Sequence, residues 1–156
     1  MRFQWLKDYQ ELEEQILYLK WNLNKSKLER NRWVYGDLSD VRLEKNSRSA
    51  SLETIIEKLE NEIDLLESQK NELLELIDSF SGVDNQIVRL KYIERKDIYD
   101  IAEITGYSIS YIRKRHTEIR KTLSFVDAYE DRREERIKKQ DELEYYSVKR
   151  DQLSLF

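Results

Sequence analysis

Two series of apolar residues at alternating steps of four and three constrain this chain more than any other feature of its sequence. Trp5, Tyr9, Leu12, Ile16, Leu19 and Leu23 form the first series. Leu52, Ile56, Leu59, Ile63, Leu66, Leu73, Ile77 and Phe80 form the second, with Lys70 as its single polar member. Such spacing brings every member to one side of a helix, at the a and d positions of a coiled coil, and does not match the period-two alternation of a half-buried strand. It predicts one long helix over residues 3–34 and a second over 51–80, with Ser51 as the N-cap of the second. The chain has no proline and three glycines in 156 residues, so little interrupts either stripe. The expected fold is all-α.

Residues 36–50 lie between the stripes, lack their periodicity and are rich in Ser, Asp, Asn and Arg, which reads as a mobile connector. Two striped helices on one connector bury their stripes against each other as an antiparallel hairpin, or against a second copy of the chain. Leu6, Leu17, Tyr18, Trp21, Leu28, Ile55, Leu65, Leu74 and Leu76 widen both stripes beyond an a/d seam. That surplus points to a bundle or a homodimer. Trp5, Trp21 and Trp33 follow the apolar stripe and read as hairpin or dimer core.

Ser81-Gly82 ends the second helix, and a compact unit of short helices follows. Asp84 reads as the cap of a helix carrying Ile87, Val88, Leu90 and Ile93. Asp97, with Asp100 three residues on, caps a short helix carrying Ile98, Ile101 and Ile104. Gly106 permits a sharp turn, and Ser108 caps a third helix with Ile112, Ile119 and Leu123 on its inner face. Ser124 and Asp127 mark the start of a further helix in the tail. The organisation expected is a coiled-coil hairpin over 1–82, a second unit over 83–124 and a helical tail over 125–156.

Charge is unevenly distributed over these parts. Residues 1–83 carry 12 Lys/Arg against 17 Asp/Glu, a balance of −5; residues 84–124 carry 9 against 6, a balance of +3; residues 125–156 carry 7 against 9, a balance of −2. The local potential of the middle segment, rather than the total of −4, governs attraction to a phosphate backbone.

Within that segment the spacing of short helix, Gly-containing turn and basic helix is that of a helix-turn-helix, with Ala102 at the tight crossing point. With Ile112 and Ile119 turned inward, the outward set is Ile109, Ser110, Arg113, Lys114 and Thr117. Ser and Arg hydrogen-bond base edges, Arg grips guanine with two bonds, and Ile109 suits a thymine methyl. Arg113 is the first candidate for a specificity contact. Tyr107, Tyr111, Arg115, His116, Arg120 and Lys121 flank that face and suit phosphate contacts that set orientation. Ser108 opens the helix, so its first backbone N–H groups also face a phosphate.

Leu90 to Tyr92, Ile101-Ala102-Glu103, Gly106-Tyr107-Ser108 and Ile112-Arg113 together resemble region four of bacterial sigma factors, over about 40 of the 156 residues. The resemblance implies promoter contacts at Ile109, Ser110, Arg113 and Lys114. Upstream there is no counterpart of the sigma segment that melts the other promoter element. A region-four-like head behind a long helical hairpin is similar to the small phage-encoded regulators of Gram-positive bacteria, the ArpU-like and RinA-like late-transcription activators. That similarity implies a regulator of phage or mobile-element genes; the residues by themselves imply binding of double-stranded DNA.

Competing readings are a plain three-helix packing unit, and an interaction protein that binds RNA polymerase or another host factor without independent DNA binding. An enzyme is disfavoured. There is no cysteine, a lone histidine, no Gly-rich phosphate loop and no metal-ligand cluster in the sequence, so no cofactor or metal is expected. The carboxylates of the second helix read as a solvated face. No apolar run is long enough for a signal core or a membrane span, and the expected location is the cytoplasm.

Overall fold

The computed structural model describes residues 2–36 and 42–154, with residues 42–47 described by their backbone alone. Every regular element among them is helical: α1 (Arg2–Lys7), α2 (Tyr9–Val34), α3 (Arg42–Asp78), α4 (Val83–Val88, continued by a π-helical turn over Arg89–Ile93), α5 (Ile98–Thr105) and α6 (Ile109–Ser154).

The first apolar series spans a helix interrupted at Asp8, whose side chain accepts from Gln4 Nε2 at 3.0 Å and whose N–H is shared between the carbonyls of Gln4 and Trp5, each at 3.1 Å. Leu6 and Tyr9 are buried on either side of this interruption. The second series starts on a longer helix than its spacing predicts. Ser51 is not a cap, because α3 begins nine residues earlier at Arg42 and Thr54 Oγ1 bonds back to the Ala50 carbonyl within the helix. Of the expected connector, residues 42–50 are helical and residues 37–41 lie outside the described residues. Packing overrides local preference here: Arg48 reaches Glu29 of α2 at 2.8 Å, and Leu52 is fully buried.

Salt bridges fix the direction of α2 against α3. Glu13 pairs with Lys70 at 3.3 Å, Lys20 with Glu67 at 2.7 Å, Lys27 with Glu60 at 3.3 Å and Arg30 with Glu53 at 3.3 Å. Partner numbers fall as α2 advances, so the two helices run in opposite directions. Exposed pairs of this kind contribute at most about 1 kcal/mol each, so the buried seam of Leu12, Ile16 and Leu19 against Leu52, Ile56 and Ile63 holds the helices together. Lys70 occupies its a/d-type position because its ammonium extends to Glu13 at the edge of the seam.

Not every apolar residue of the widened stripes enters that seam. Leu6 is buried, and Leu74 and Leu76 pack partly buried against the core. Leu17, Tyr18, Trp21, Leu28, Ile55 and Leu65 are exposed. Trp5 is half-buried against the core and Trp33 is half-buried on α2, whereas Trp21 is 58% exposed and stacks on Tyr18 rather than entering a core.

A single buried cluster spans both sides of the Ser81-Gly82 break. It joins Leu6 and Tyr9, Leu73 and Ile77 of α3, Ile87, Val88 and Tyr92, Ile101 of α5, and Ile112, Ile119 and Leu123 of α6. Side chains tie its rim. Asn85 donates from Nδ2 to the Ile77 and Phe80 carbonyls at the end of α3, at 2.9 and 3.1 Å, and Gln10 donates to the Ile93 carbonyl at 2.8 Å.

The tail is not a separate helix. α6 runs unbroken through Ser124 for 46 residues. Asp127 starts nothing; its two oxygens instead share the Phe3 N–H at 3.4 and 3.3 Å, an unpaired donor at the positive end of α1. Arg2 adds Glu130 at 2.7 Å and Glu72 at 3.3 Å, binding α1 to both α6 and α3.

Candidate nucleic-acid interface

α5 and the start of α6 follow from three local signals. Asp97 caps α5 by accepting the Asp100 N–H at 2.8 Å, and Gly106 ends it in the left-handed region at φ 77°. A side chain there meets no neighbour, so glycine is needed for its backbone and not for space. Ser108 then caps α6, its Oγ accepting the Tyr111 N–H at 3.2 Å. That bond leaves the N–H groups of Ile109 and Ser110 without a partner inside the helix.

Burial divides the opening turns of α6 into two sides. Ile112, Ile119 and Leu123 are each 1% exposed and face the shared core. Ser110, Tyr111, Arg113, Lys114, Thr117, Arg120 and Lys121 face solvent, Ser108 is exposed at the tip, and Ile109 is half-buried. Thr117 spends its hydroxyl proton on the Arg113 carbonyl at 2.9 Å, which leaves its oxygen as an acceptor and its methyl as a contact. Lys121 pairs loosely with Glu118 at 3.3 Å.

Arg115 is placed differently from the phosphate-contacting role its sequence position suggests. Its Nε and Nη2 donate to both oxygens of Asp84 at 2.9 and 2.6 Å. That two-bond pairing raises the Arg115 pKa further. Asp84 in turn caps nothing: Gly82 occupies the position before α4, and the Asp84 carboxylate crosses to α6. The next residue, His116, also turns inward, its Nε2 lying 2.9 Å from the Tyr92 hydroxyl. Burial, followed by the nearby Lys91 and Arg120 charges, pushes the His116 pKa down to about 4, so the ring is neutral at neutral pH. Burial also raises the Tyr92 hydroxyl. Arg115 and His116 therefore act as two adjacent pins that fix the rotation of α6 about its own axis, setting which residues it turns outward.

Two features of the site differ in how far residue order signals them. The Asp84–Arg115 clamp joins residues 31 apart, and only opposite charge hints at it. Tyr107 and Tyr111 stack with ring centroids 4.8 Å apart at 27°, an exposed aromatic pair beside the turn. The i, i+4 spacing of two tyrosines is a legible signal for that pair.

Comparison with protein-family models, with curated proteins and with solved structures finds no match.

The chemistry of the face therefore stands on its residues alone. It offers hydroxyls, a guanidinium, ammonium groups and stacked phenol rings, with no nucleophile beside a base. Among the described residues no group of three His, Cys, Asp or Glu side chains is arranged to hold a metal, and no helix is long and apolar enough to cross a membrane. Hydrogen-bond donors and positive charge on a protruding helix suit recognition of a polyanion.

Proposed function

We propose that the protein is a sequence-specific regulator of transcription that binds double-stranded DNA, with α5, the Gly106 turn and the opening turns of α6 acting as a helix-turn-helix. One observation carries the reading: Ser110, Arg113, Lys114 and Thr117 are exposed on the side of α6 opposite the buried Ile112 and Ile119, directly after the capped turn. In the major groove, Arg113 reads a guanine edge, Ser110 and Ile109 contact neighbouring bases, and Ser108, Lys114, Arg120 and Lys121 approach phosphates. Arg115, held by Asp84, orients the helix instead. The region-four resemblance is consistent with promoter DNA of phage or mobile-element genes as the target.

Selection from a random duplex pool tests this, with the intact protein and with Arg113→Ala at two salt concentrations. The expected result is a recovered motif that relaxes at one position in the variant. Sequence-blind, strongly salt-dependent binding refutes direct readout.

The long α2–α3 pair is the proposed coiled-coil support, with a homodimer as the working assembly, motivated by the exposed Leu17, Tyr18, Trp21 and Leu28. Sedimentation at micromolar concentration decides it, and a monomer mass refutes it. The same exposed residues favour a second reading, an interaction protein that docks on RNA polymerase or another host factor. Capture of polymerase with no binding to isolated DNA selects that reading.

A further inference from the structure

α6 does not stop where the core ends. Its 46 residues extend about 69 Å at about 1.5 Å per residue, and every residue from Asp131 to Ser154 is exposed. An arm of this length contributes nothing to the core, and its role lies in what its surface presents.

Charge on the arm is balanced in number, and one side of the helix carries cations without carboxylates. Residues 131–154 hold seven Lys/Arg and seven Asp/Glu. Arg132, Arg136, Lys139 and Arg150, with Leu143 and Tyr146, follow one another at steps of three and four and share one side of the helix. Glu135 and Glu142 border that side, and Asp131, Glu134, Asp141, Glu144 and Asp151 lie on the others together with Arg133, Lys138 and Lys149. Among the described residues none of the four cations makes an ion pair, whereas most cations along α2 do. Four of the arm's seven cations thus share one side that holds no carboxylate.

That side is also in phase with the proposed DNA face. Ser110, Lys114, Thr117 and Lys121 follow one another at steps of four and three, and further steps of three and four lead through Phe125 and Ala128 to Arg132. Phe125 is 72% and Tyr146 65% exposed on this line. Because α6 has no break, the rotation that the Asp84 and Tyr92 pins impose on its first turns also sets the direction in which the arm's cations point.

We propose that the basic and aromatic side of the α6 arm is a second nucleic-acid contact, which binds the phosphodiester backbone beyond the segment read by the first turns of the same helix. The inference rests on the proposed DNA-binding reading. Charge complementarity and continuity with that face select a polyanion, and the exposed rings add stacking surface of the kind that accompanies backbone binding. From Lys121 to Arg150 the line covers about 44 Å, more than one turn of about 34 Å of duplex. The ligand is the flanking duplex.

The test compares the intact chain with the quadruple variant Arg132→Ala, Arg136→Ala, Lys139→Ala and Arg150→Ala. These positions are exposed and alanine favours helix, so far-UV circular dichroism is expected to stay unchanged. Binding is measured across a salt series on a selected-site duplex of about 12 base pairs, on one of about 40 base pairs and on an oligothymidine of about 30 nucleotides. On the long duplex the variant's salt slope is expected to fall by about 3 to 4, about 0.9 per lost phosphate contact, with the short duplex unaffected. The same loss confined to the oligothymidine assigns the arm to single strands and overturns the proposal. Equal slopes for both proteins on all three probes overturn it. Arg113→Ala separates this from failure of the head: if the head does not read DNA, that variant leaves the short duplex unchanged, while the arm's contribution is still read on the long duplex.

Discussion

His116 is the only histidine in the chain, which makes its titration a direct probe of how α6 is seated. Its ring is half-buried behind the proposed recognition face, bonded to Tyr92 and flanked by the cations Lys91 and Arg120. The folded value of about 4 lies below the ordinary 6.5. A depressed histidine favours the folded state while it is neutral; the unfolded chain begins to take up a proton below pH 6.5, and the folded chain follows near 4. Stability is therefore fully present above about pH 7 and is lost as pH falls through the window between these values. At pH 5 the linkage integral amounts to about 2 kcal/mol, and partial solvent access reduces the expected effect to about 1 kcal/mol. Every other group contributes to both proteins alike, so the informative quantity is the difference between wild type and His116→Gln. Urea unfolding at pH 7.5 and 5.0 is expected to show the wild type losing about 1 kcal/mol more than the variant. Proton NMR of the single imidazole supplies the pKa directly. A midpoint near 6.5 in the folded protein, or identical pH slopes for the two proteins, refutes the buried seating.

Three further outcomes follow from the geometry. Arg113→Ala is expected to relax sequence preference at one base pair, by about tenfold to a hundredfold in selection enrichment, with the melting temperature unchanged. Gly106→Ala forces a side chain into the left-handed region at φ 77° and is expected to cost about 1 kcal/mol in thermal unfolding, with no steric contribution because the surroundings are open. Leu73→Ala removes a fully buried side chain where α3 meets the shared core and is expected to cost about 2 to 5 kcal/mol; because the cluster is continuous, unfolding of α2–α3 and of the α4–α6 segment should remain a single transition by circular dichroism and tryptophan fluorescence.

Periodic features are legible in the amino-acid order itself. Ile112, Ile119 and Leu123 are inward on sequence spacing and are the buried face of α6. The Asp97 cap, the Gly106 turn and the Ser108 cap are short-range signals in which each residue bonds within four positions of itself, and all three are present. The misleading signals have the opposite character. Ser51, Asp84 and Asp127 each resemble a helix start, since a short polar side chain before an apolar run is the capping signature. Each is overridden by a partner distant in sequence or by packing: α3 extends through Ser51, Asp84 holds Arg115, and Asp127 receives the N-terminus of α1. Trp21 fits the apolar stripe in number but lies on the outer side of α2, because an antiparallel partner covers only one side of a helix.

Helical character, the placement of the stripes and the buried side of α6 all follow from residue order, because helical period and capping bonds act over a few positions. Three outcomes needed the packed molecule: α6 runs unbroken through Ser124, Arg115 pairs with Asp84, and one core joins the chain's first turn to its last helices. They depend on contacts across 31 to 124 positions, where several partners of suitable charge compete and only the assembled fold selects among them.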